Sequence, residues 1–258
     1  MTFPGLPAQA SAHAPDIDFV LGLEHWSMLA LFVFFFGYFC YVLFRFRSGA
    51  NPTASYAGMK SRWSLWVVAA MAVAEVVLLA VFELPAWSER IDALPSPEEA
   101  TVVRVVAEQF AWNVHYPGPD RTFGRTEIGL ISSGNPLGLD RTDPAAKDDI
   151  TAINQLTVPV NRPVLIRLTS KDVIHSFTLY EMRVKQDAIP GTDSPVWFIP
   201  TVTTDQMRAR LGKPDFEYEI ACSQLCGLGH YRMRGFLNVK TDAEFRAYLD
   251  EEGRALPR

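Results

Sequence analysis

Cys222, Cys226, His230 and Met233 stand close together in the segment EIACSQLCGLGHYRMRGF, residues 219–236. Two thiols, an imidazole and a thioether in so short a stretch form a soft donor set, which favours copper over hard cations. The thioether argues against zinc, which takes nitrogen, thiolate and carboxylate donors. The competing chemistry for the two cysteines is a disulfide, which an oxidising compartment would favour. A blue single-copper centre takes one Cys, two His and a weak axial Met. Here a second thiol is present, and each thiolate sulfur has lone pairs enough to bridge two metals. A second histidine would complete two similar sites. Five histidines exist. His13 lies in the amino-terminal arm, His25 opens an apolar run, and His115 falls in the first outer strand. His175, in SKDVIHSFTLYEM, follows a strand. A lone histidine there is ordinarily structural, but the downstream cysteine pair makes it the candidate partner.

The elements around the four residues must aim them at one point. Upstream, Phe216, Tyr218 and Ile220 alternate with Glu217, Glu219 and Ala221, the pattern of a strand with one buried face. Downstream, GFLNVK at 235–240 reads as another short strand. The four residues therefore occupy a turn, in which Gly227 and Gly229 let the backbone fold tightly.

The rest of this outer region also reads as strands. TVVRVVAEQFAWNVHYP (101–117) is rich in β-branched and aromatic residues, and LTVPVNRPVLIRLTS (156–170) reads as strand, turn, strand. Between them, 118–155 is heavy in Gly, Asn, Asp and Pro and reads as loop. Thr241 with Glu244 forms a capping box for a last helix, with Phe245, Tyr248 and Leu249 on its apolar face and Gly253 at its end. Many short strands without βα alternation indicate a β-sandwich.

Two apolar runs precede the outer region. Residues 25–44 and 63–87 are each long enough, at about 1.5 Å per helical residue, to cross the ~30 Å hydrocarbon layer of a bilayer. The linker between them holds Arg45, Arg47, Lys60 and Arg62 and no acid; the arm before them holds Asp16, Asp18 and Glu24 and no Lys or Arg. The positive-inside rule puts the linker in the cytoplasm and both chain ends outside. Trp26, Trp63, Trp66 and Trp87 sit at span ends, as interfacial anchors do. Residues 1–24 have neither the basic start nor the apolar stretch of a secretory signal and read as an exposed external arm. The expected division is arm 1–24, spans about 25–45 and 63–87 joined by linker 46–62, and external domain 88–258. Pro85, Pro95 and Pro97 mark a stiff exit from the second span. Cys40 reads as a packing residue of the first span. Glu75, in the middle of the second, is costly in lipid; it should be protonated or face protein, as an interhelical hydrogen bond or as a contact on a proton route. A net charge of −5 and the absence of a Gly-rich phosphate loop give no support to nucleic-acid or nucleotide binding.

These features together resemble subunit II of the haem-copper cytochrome c oxidases. The resemblance rests on C-S-x-x-C-G-x-x-H-x-x-M from Cys222 to Met233, D-V-I-H-S-F at 172–177, K-x-D-A-I-P-G at 185–191 and Q-aromatic-x-W at 109–112. The two-span anchor ahead of an outer β-domain extends it over nearly the whole chain. It implies a two-helix transmembrane hairpin followed by an all-β, cupredoxin-like Greek-key sandwich with a C-terminal helix. It implies a binuclear copper A centre bridged by Cys222 and Cys226, with His175 and His230 each on one copper, Met233 as a weak axial ligand and the backbone carbonyl of Gln224 as the sixth.

The implied function is electron relay in a respiratory oxidoreductase and proton translocase. A donor such as cytochrome c reduces the copper pair on the outer, periplasmic side of a bacterial inner membrane, and electrons pass to haem in subunit I, where oxygen becomes water. The implied partners are subunit I, the other oxidase subunits, the donor and lipid. Asp172 matches an acidic docking residue of that family. Phe110 stands where the family often has the Trp at which electrons enter, with Trp112 two residues on. Tyr180 stands where Pro is frequent. Gln224 replaces a Glu that helps hold magnesium, and a neutral amide is a poorer magnesium ligand. The chain has no C-x-x-C-H for covalent haem, so haem belongs to the partner alone. Two other readings are a copper A subunit of a nitric oxide reductase and a mononuclear cupredoxin carrier. A quinol oxidase subunit II, which shares the architecture, lacks the copper ligands present here.

Overall fold

The computed structural model describes residues 5–53, 56, 58 and 62–256. Lys60 of the basic linker and Pro4 of the arm lie outside them. The chain forms two compact units. The first is helical: α1 (Ala14–Arg45), then α2 (Trp63–Leu78), a single π-helical turn (Leu79–Glu83) and α3 (Leu84–Ile91). The spans Ala14–Arg45 and Trp63–Ile91 contain 32 and 29 residues, about 48 and 44 Å of helix. Both are long and apolar enough to cross a membrane, and neither apolar stretch is buried. Phe32, Phe34, Phe36 and Phe39 are all exposed, a surface that water would not tolerate on a free helix.

Two boundaries differ from the sequence reading. The first helix begins eleven residues before the apolar run, because Pro15 falls in its first turn, where proline is tolerated, and Asp16 favours that turn. The second passes through Pro85 rather than exiting there. Proline removes one backbone donor and crowds the carbonyl four residues back; the π turn at Leu79–Glu83 widens the ladder at that place and lets the helix run on to Ile91.

The second unit joins Pro7–Pro15 to Arg90 and everything after it. Its strands are β1 (Thr101–Glu108), β2 (Ala111–Tyr116), β3 (Ile150–Ile153), β4 (Gln155–Pro159), β5 (Val164–Ser170), β6 (His175–Leu179), β7 (Val184–Ala188), β8 (Ser194–Phe198), β9 (Tyr218–Cys222) and β10 (Arg234–Lys240). They make two five-stranded sheets, ordered β3-β2-β1-β5-β8 and β4-β10-β9-β6-β7. Strands β1 and β5 run parallel, as do β4 and β10; the remaining neighbours are antiparallel. Inward residues of both sheets share one core, including Trp112, Ile166 and Phe198 from the first and Leu156, Phe177, Tyr218 and Ile220 from the second. Each such fully buried large side chain contributes about 1.5–3 kcal/mol relative to exposure. This is the cupredoxin-like sandwich.

The stretch 101–117 is a hairpin rather than one strand, turning at Gln109–Phe110. The loop 118–155 is irregular as far as Asp149, but Ile150–Ile153 then pairs with β2. Helix α4 (Thr204–Leu211) was not read from the sequence, although Thr203 and Gln206 form a full capping box and Gly212 closes it in the left-handed conformation. Helix α5 (Asp242–Ala255) has the Thr241–Glu244 capping box expected of it, but runs past Gly253.

The arm is not free. Ala10 N–H donates to Glu181 O, Thr201 N–H to Ala10 O, Ala12 N–H to Ile199 O, and Ser11 Oγ to Met182 O. Ala10, Ser11 and Ala14 are buried. The small residues that looked like an exposed tail are small because they lie against a sheet.

Candidate metal centre

Three connections at one end of the sandwich supply the site. They are the β1–β2 turn (Gln109, Phe110), the crossing from β5 to β6 (Lys171–Ile174) and the long turn between β9 and β10, which includes a short 3-10 turn at His230–Arg232. His175 opens β6 and Cys222 closes β9, two neighbouring antiparallel strands in which Phe177 pairs with Cys222. The sheet therefore brings together residues far apart in the chain.

The side chains converge closely. Cys222 Sγ lies 3.8 Å from Cys226 Sγ and 3.9 Å from His175 Nδ1. Cys226 Sγ lies 3.6 Å from His230 Nδ1 and 3.7 Å from Met233 Sδ. His175 Nδ1 is 3.2 Å from Met233 Sδ, and the Gln224 carbonyl oxygen is 3.2 Å from Cys222 Sγ. The two cysteines are free thiols. Their separation is well beyond a disulfide bond of about 2.05 Å, yet short enough for one ion at about 2.3 Å to touch both sulfurs. The ligand atoms of His175, Cys222 and Cys226 all lie within 4.8 Å of one another, as a bound ion requires. His175, Cys226 and Met233 are buried, while Cys222 and His230 are half-buried. The donor set fits a soft transition metal.

Asp172 sets the state of His175. Its Oδ1 is 2.8 Å from His175 Nε2, and its Oδ2 accepts from Gln109 N–H at 2.7 Å. With Nε2–H donating to the carboxylate, the Nδ1 lone pair faces the sulfurs, the tautomer a metal ligand needs. Burial works to raise the Asp172 carboxyl, but hydrogen bonds from His175 and from the Gln109 and Val173 amides outweigh it and hold it below its usual range. Burial works against the charged His175 ring, but Cys222 and Asp172 outweigh it and hold the ring above its ordinary value. The carboxylate thus turns toward His175 and backbone amides rather than standing free at the surface. Asp172→Asn should weaken metal retention by about 10–100-fold, checked by competition with a chelator. An unchanged affinity would mean that His175 is oriented by other contacts.

The thiols differ. Burial opposes ionisation of Cys222, but His175, backbone groups of Ser176 and Gln224, and His230 overcome it and bring the thiol down to about 6. Burial, then the neighbouring Cys222 charge, pushes Cys226 up to about 11. Above about pH 6 one thiolate is ready, and metal loading must expel the proton of the other. Apparent affinity should therefore climb at least about tenfold per pH unit between about pH 7 and 9, and more steeply at lower pH, where the Cys222 thiol and the His175 ring must also lose protons. A flat titration of metal affinity against pH would contradict this ordering.

Phe110 and Trp112 separate in space. The Phe110 ring lies over the glycines of the turn: a Cβ on Gly229 would come within 2.4 Å of it, and one on Gly227 would meet the Gln109 amide at 2.6 Å. Gly227 also has φ +130°, so its backbone favours glycine as well, whereas Gly229, at φ −91°, requires glycine for space alone. Trp112 is fully buried beneath the site, edge-on to Phe177 with its ring 6.2 Å from that of His175. It has no surface to offer a donor. The sequence reading missed Gln109, whose side-chain amide donates to the Cys226 carbonyl at 2.5 Å and pins the turn. Its place at the head of the Q-aromatic-x-W motif was the available signal. Glu75 is exposed on its helix.

Residues 101–239 match the family model described as cytochrome C oxidase subunit II, periplasmic domain. Among curated proteins, the chain is similar to the alternative cytochrome c oxidase subunit 2 of Bradyrhizobium diazoefficiens, 29% identical over 237 residues, covering 92% of this chain and 80% of that one. It is also similar to cytochrome c oxidase subunit 2 of Cereibacter sphaeroides, 25% identical over 260 residues, covering 96% and 79%. Among solved structures, the periplasmic domain of subunit II of cytochrome oxidase (CoxB) of Bradyrhizobium japonicum is 25% identical, covers 64% of this chain and 99% of its own, and superposes with a TM-score of 0.43. The family match takes in more than half of the chain, both sheets, and every residue that converges on the thiol pair, so the chain belongs to the cytochrome c oxidase subunit II family.

Proposed function

We propose that this chain is the electron-relay subunit of a respiratory haem-copper oxidase and holds a binuclear copper A centre. The observation that carries the reading is the convergence of five soft side-chain donors from two parts of the chain onto one buried point. Cys222, Cys226, His175, His230, Met233 and the Gln224 carbonyl would hold the copper pair. When bound, the copper pair supplies one-electron redox chemistry between an outer donor such as cytochrome c and the haem of subunit I, where oxygen is reduced to water.

The chain's own residues do the rest. The paired sheets fix the ligands, so that little rearranges when charge changes. Asp172 holds the Nε2 proton of His175. Burial of His175, Cys226 and Met233 keeps water from the donors. Leu225, Leu228 and Tyr231, exposed on the turn, form a contact surface for partners beside Phe110, the half-buried aromatic packed against the turn glycines, through which electrons enter. The neutral Gln224 leaves magnesium out of the assignment. Arg45, Arg47 and Arg62 place the linker in the cytoplasm and the sandwich on the periplasmic side of the inner membrane. Glu75, exposed on the isolated helix, is covered by subunit I.

The test is elemental analysis and electron paramagnetic resonance of the purified complex, with oxygen and nitric oxide offered in turn. The reading expects two coppers attributable to this chain, an unpaired electron coupled to two copper nuclei, and oxygen consumption. One copper per chain would support a mononuclear carrier, and turnover of nitric oxide alone a different catalytic partner.

A further inference from the structure

We propose that a second site, on the outer face of the β3-β2-β1-β5-β8 sheet, binds the phosphate group of a small ester, of free phosphate or of a phospholipid headgroup. Arg104 and Arg167 are register partners on the parallel strands β1 and β5, so their side chains leave the sheet side by side. Thr169, two residues further along β5, projects from the same face. With Gly191, Thr192 and Asp193 from the loop before β8, these residues line a cavity of about 310 Å3.

Arg167 is ion-paired with Asp193. Arg104 has no carboxylate partner and no hydrogen-bond acceptor among the described residues; its guanidinium lies over the Phe123 ring, 4.4 Å from the centroid. A guanidinium stacked by its face keeps its in-plane N–H donors available. Arg104 is half-buried, and burial, then the neighbouring Arg167 charge, presses its guanidinium below the usual value. Asp193 and Asp149 offset part of the arginine charge, but neither pairs with Arg104, whose fork stays open beside Arg167. An oxyanion with several acceptor oxygens suits that open fork, since a guanidinium matches phosphate geometry. Arg167 and Asp193 also form part of the wall of a larger groove of about 1370 Å3, whose apolar lining includes Leu94, Val102, Phe245 and Leu249. That groove has room for the organic body of an ester.

The site is independent of the metal, so the test is too. The full chain in nonionic detergent is titrated with inorganic phosphate against sodium chloride at matched ionic strength, following thermal unfolding. Native mass spectrometry of the chain taken from its membrane records retained phospholipid. Phosphate is expected to raise the unfolding temperature above the chloride control, and Arg104→Gln to weaken that effect at least about tenfold, with Arg104→Lys intermediate and the far-ultraviolet circular dichroism unchanged. A retained phospholipid lost in Arg104→Gln identifies the headgroup as the source; phosphate stabilisation without retained lipid identifies a free phosphate or ester. Equal responses to phosphate and chloride with no retained lipid would overturn the proposal, as would an Arg104→Gln chain that responds like the original. If Arg104→Gln fails to fold, the comparison passes to Arg167→Gln, which lies at the exposed rim.

Discussion

Cys226→Ser is expected to leave a folded chain that holds no copper pair and relays no electrons. Serine keeps the shape of the residue but offers a hard hydroxyl that does not ionise in the accessible pH range, where the proposed centre needs a soft thiolate. Cys226 is also the residue around which the cluster closes, since Cys222, His230 and Met233 all lie within 3.8 Å of its sulfur. Removing it breaks three donor contacts, as many as removing Cys222. Donor-driven oxygen consumption should fall by at least about a hundredfold, a loss of roughly 3 kcal/mol or more in the barrier, and metal analysis should show the coppers of this chain missing. Cys40→Ser, in the first span, should change neither. Met233→Leu should separate the ligands by strength: a weak axial donor is dispensable for holding metal but tunes its potential, so copper stays and the potential moves. Full copper content in Cys226→Ser would place the metal elsewhere.

Asp149→Ala should be the most damaging substitution away from the metal. Asp149 and His115 are both fully buried, and the carboxylate lies 2.6 Å from His115 Nε2. The same oxygen accepts from Gly124 N–H at 2.8 Å, while Arg141 ties the Asp149 carbonyl from the outside at 3.0 Å. The pair joins β2 to the two ends of the irregular segment that follows it. Alanine leaves an imidazole and an amide buried without their acceptor, and opens a cavity. Breaking a buried pair on one side costs about 3–5 kcal/mol, which for a domain of this size lowers the unfolding temperature by about 10 °C. Asp149→Asn, which can still accept both bonds, should cost less. By contrast, breaking the solvent-exposed Arg208–Asp205 pair should cost roughly 0–1 kcal/mol. Thermal unfolding of the three variants orders them, and a shift for Asp149→Ala no larger than that of the surface pair would show that the segment is held by other means.

Local composition and spacing carried the element types well. The capping box at Thr241, the alternation before Cys222 and the unbroken apolar runs each state a local preference that tertiary structure had no reason to override. Errors arose where the deciding contact was distant. The arm from Pro7 to Pro15 has the composition of a tail, and only its hydrogen bonds to Glu181, Ile199 and Thr201 make it part of the sandwich. Pro85 is a helix breaker by itself, and the π turn before it absorbs the misfit. Phe110 and Trp112 are two apart and should share a face on a strand, but Phe110 sits in the turn and the two aromatics point to different places.

The same division runs through the metal centre. The sequence by itself determined the donor chemistry, because residue types at short spacing, Cys222 to Met233, must share one turn. It made His175 a candidate from the cysteine pair and the places of the other four histidines, and gave it a ligand role only through a family resemblance, since no local rule relates a residue to one 47 positions away. The tertiary structure decided that relation by pairing β6 with β9, and it made Asp172, still exposed, the partner of His175. It also explained Gly227 and Gly229, whose missing side chains make room for Gln109 and Phe110. The physical reason is general to sheets: side-chain identity and strand alternation are local, whereas register between strands is set by a whole core packing at once.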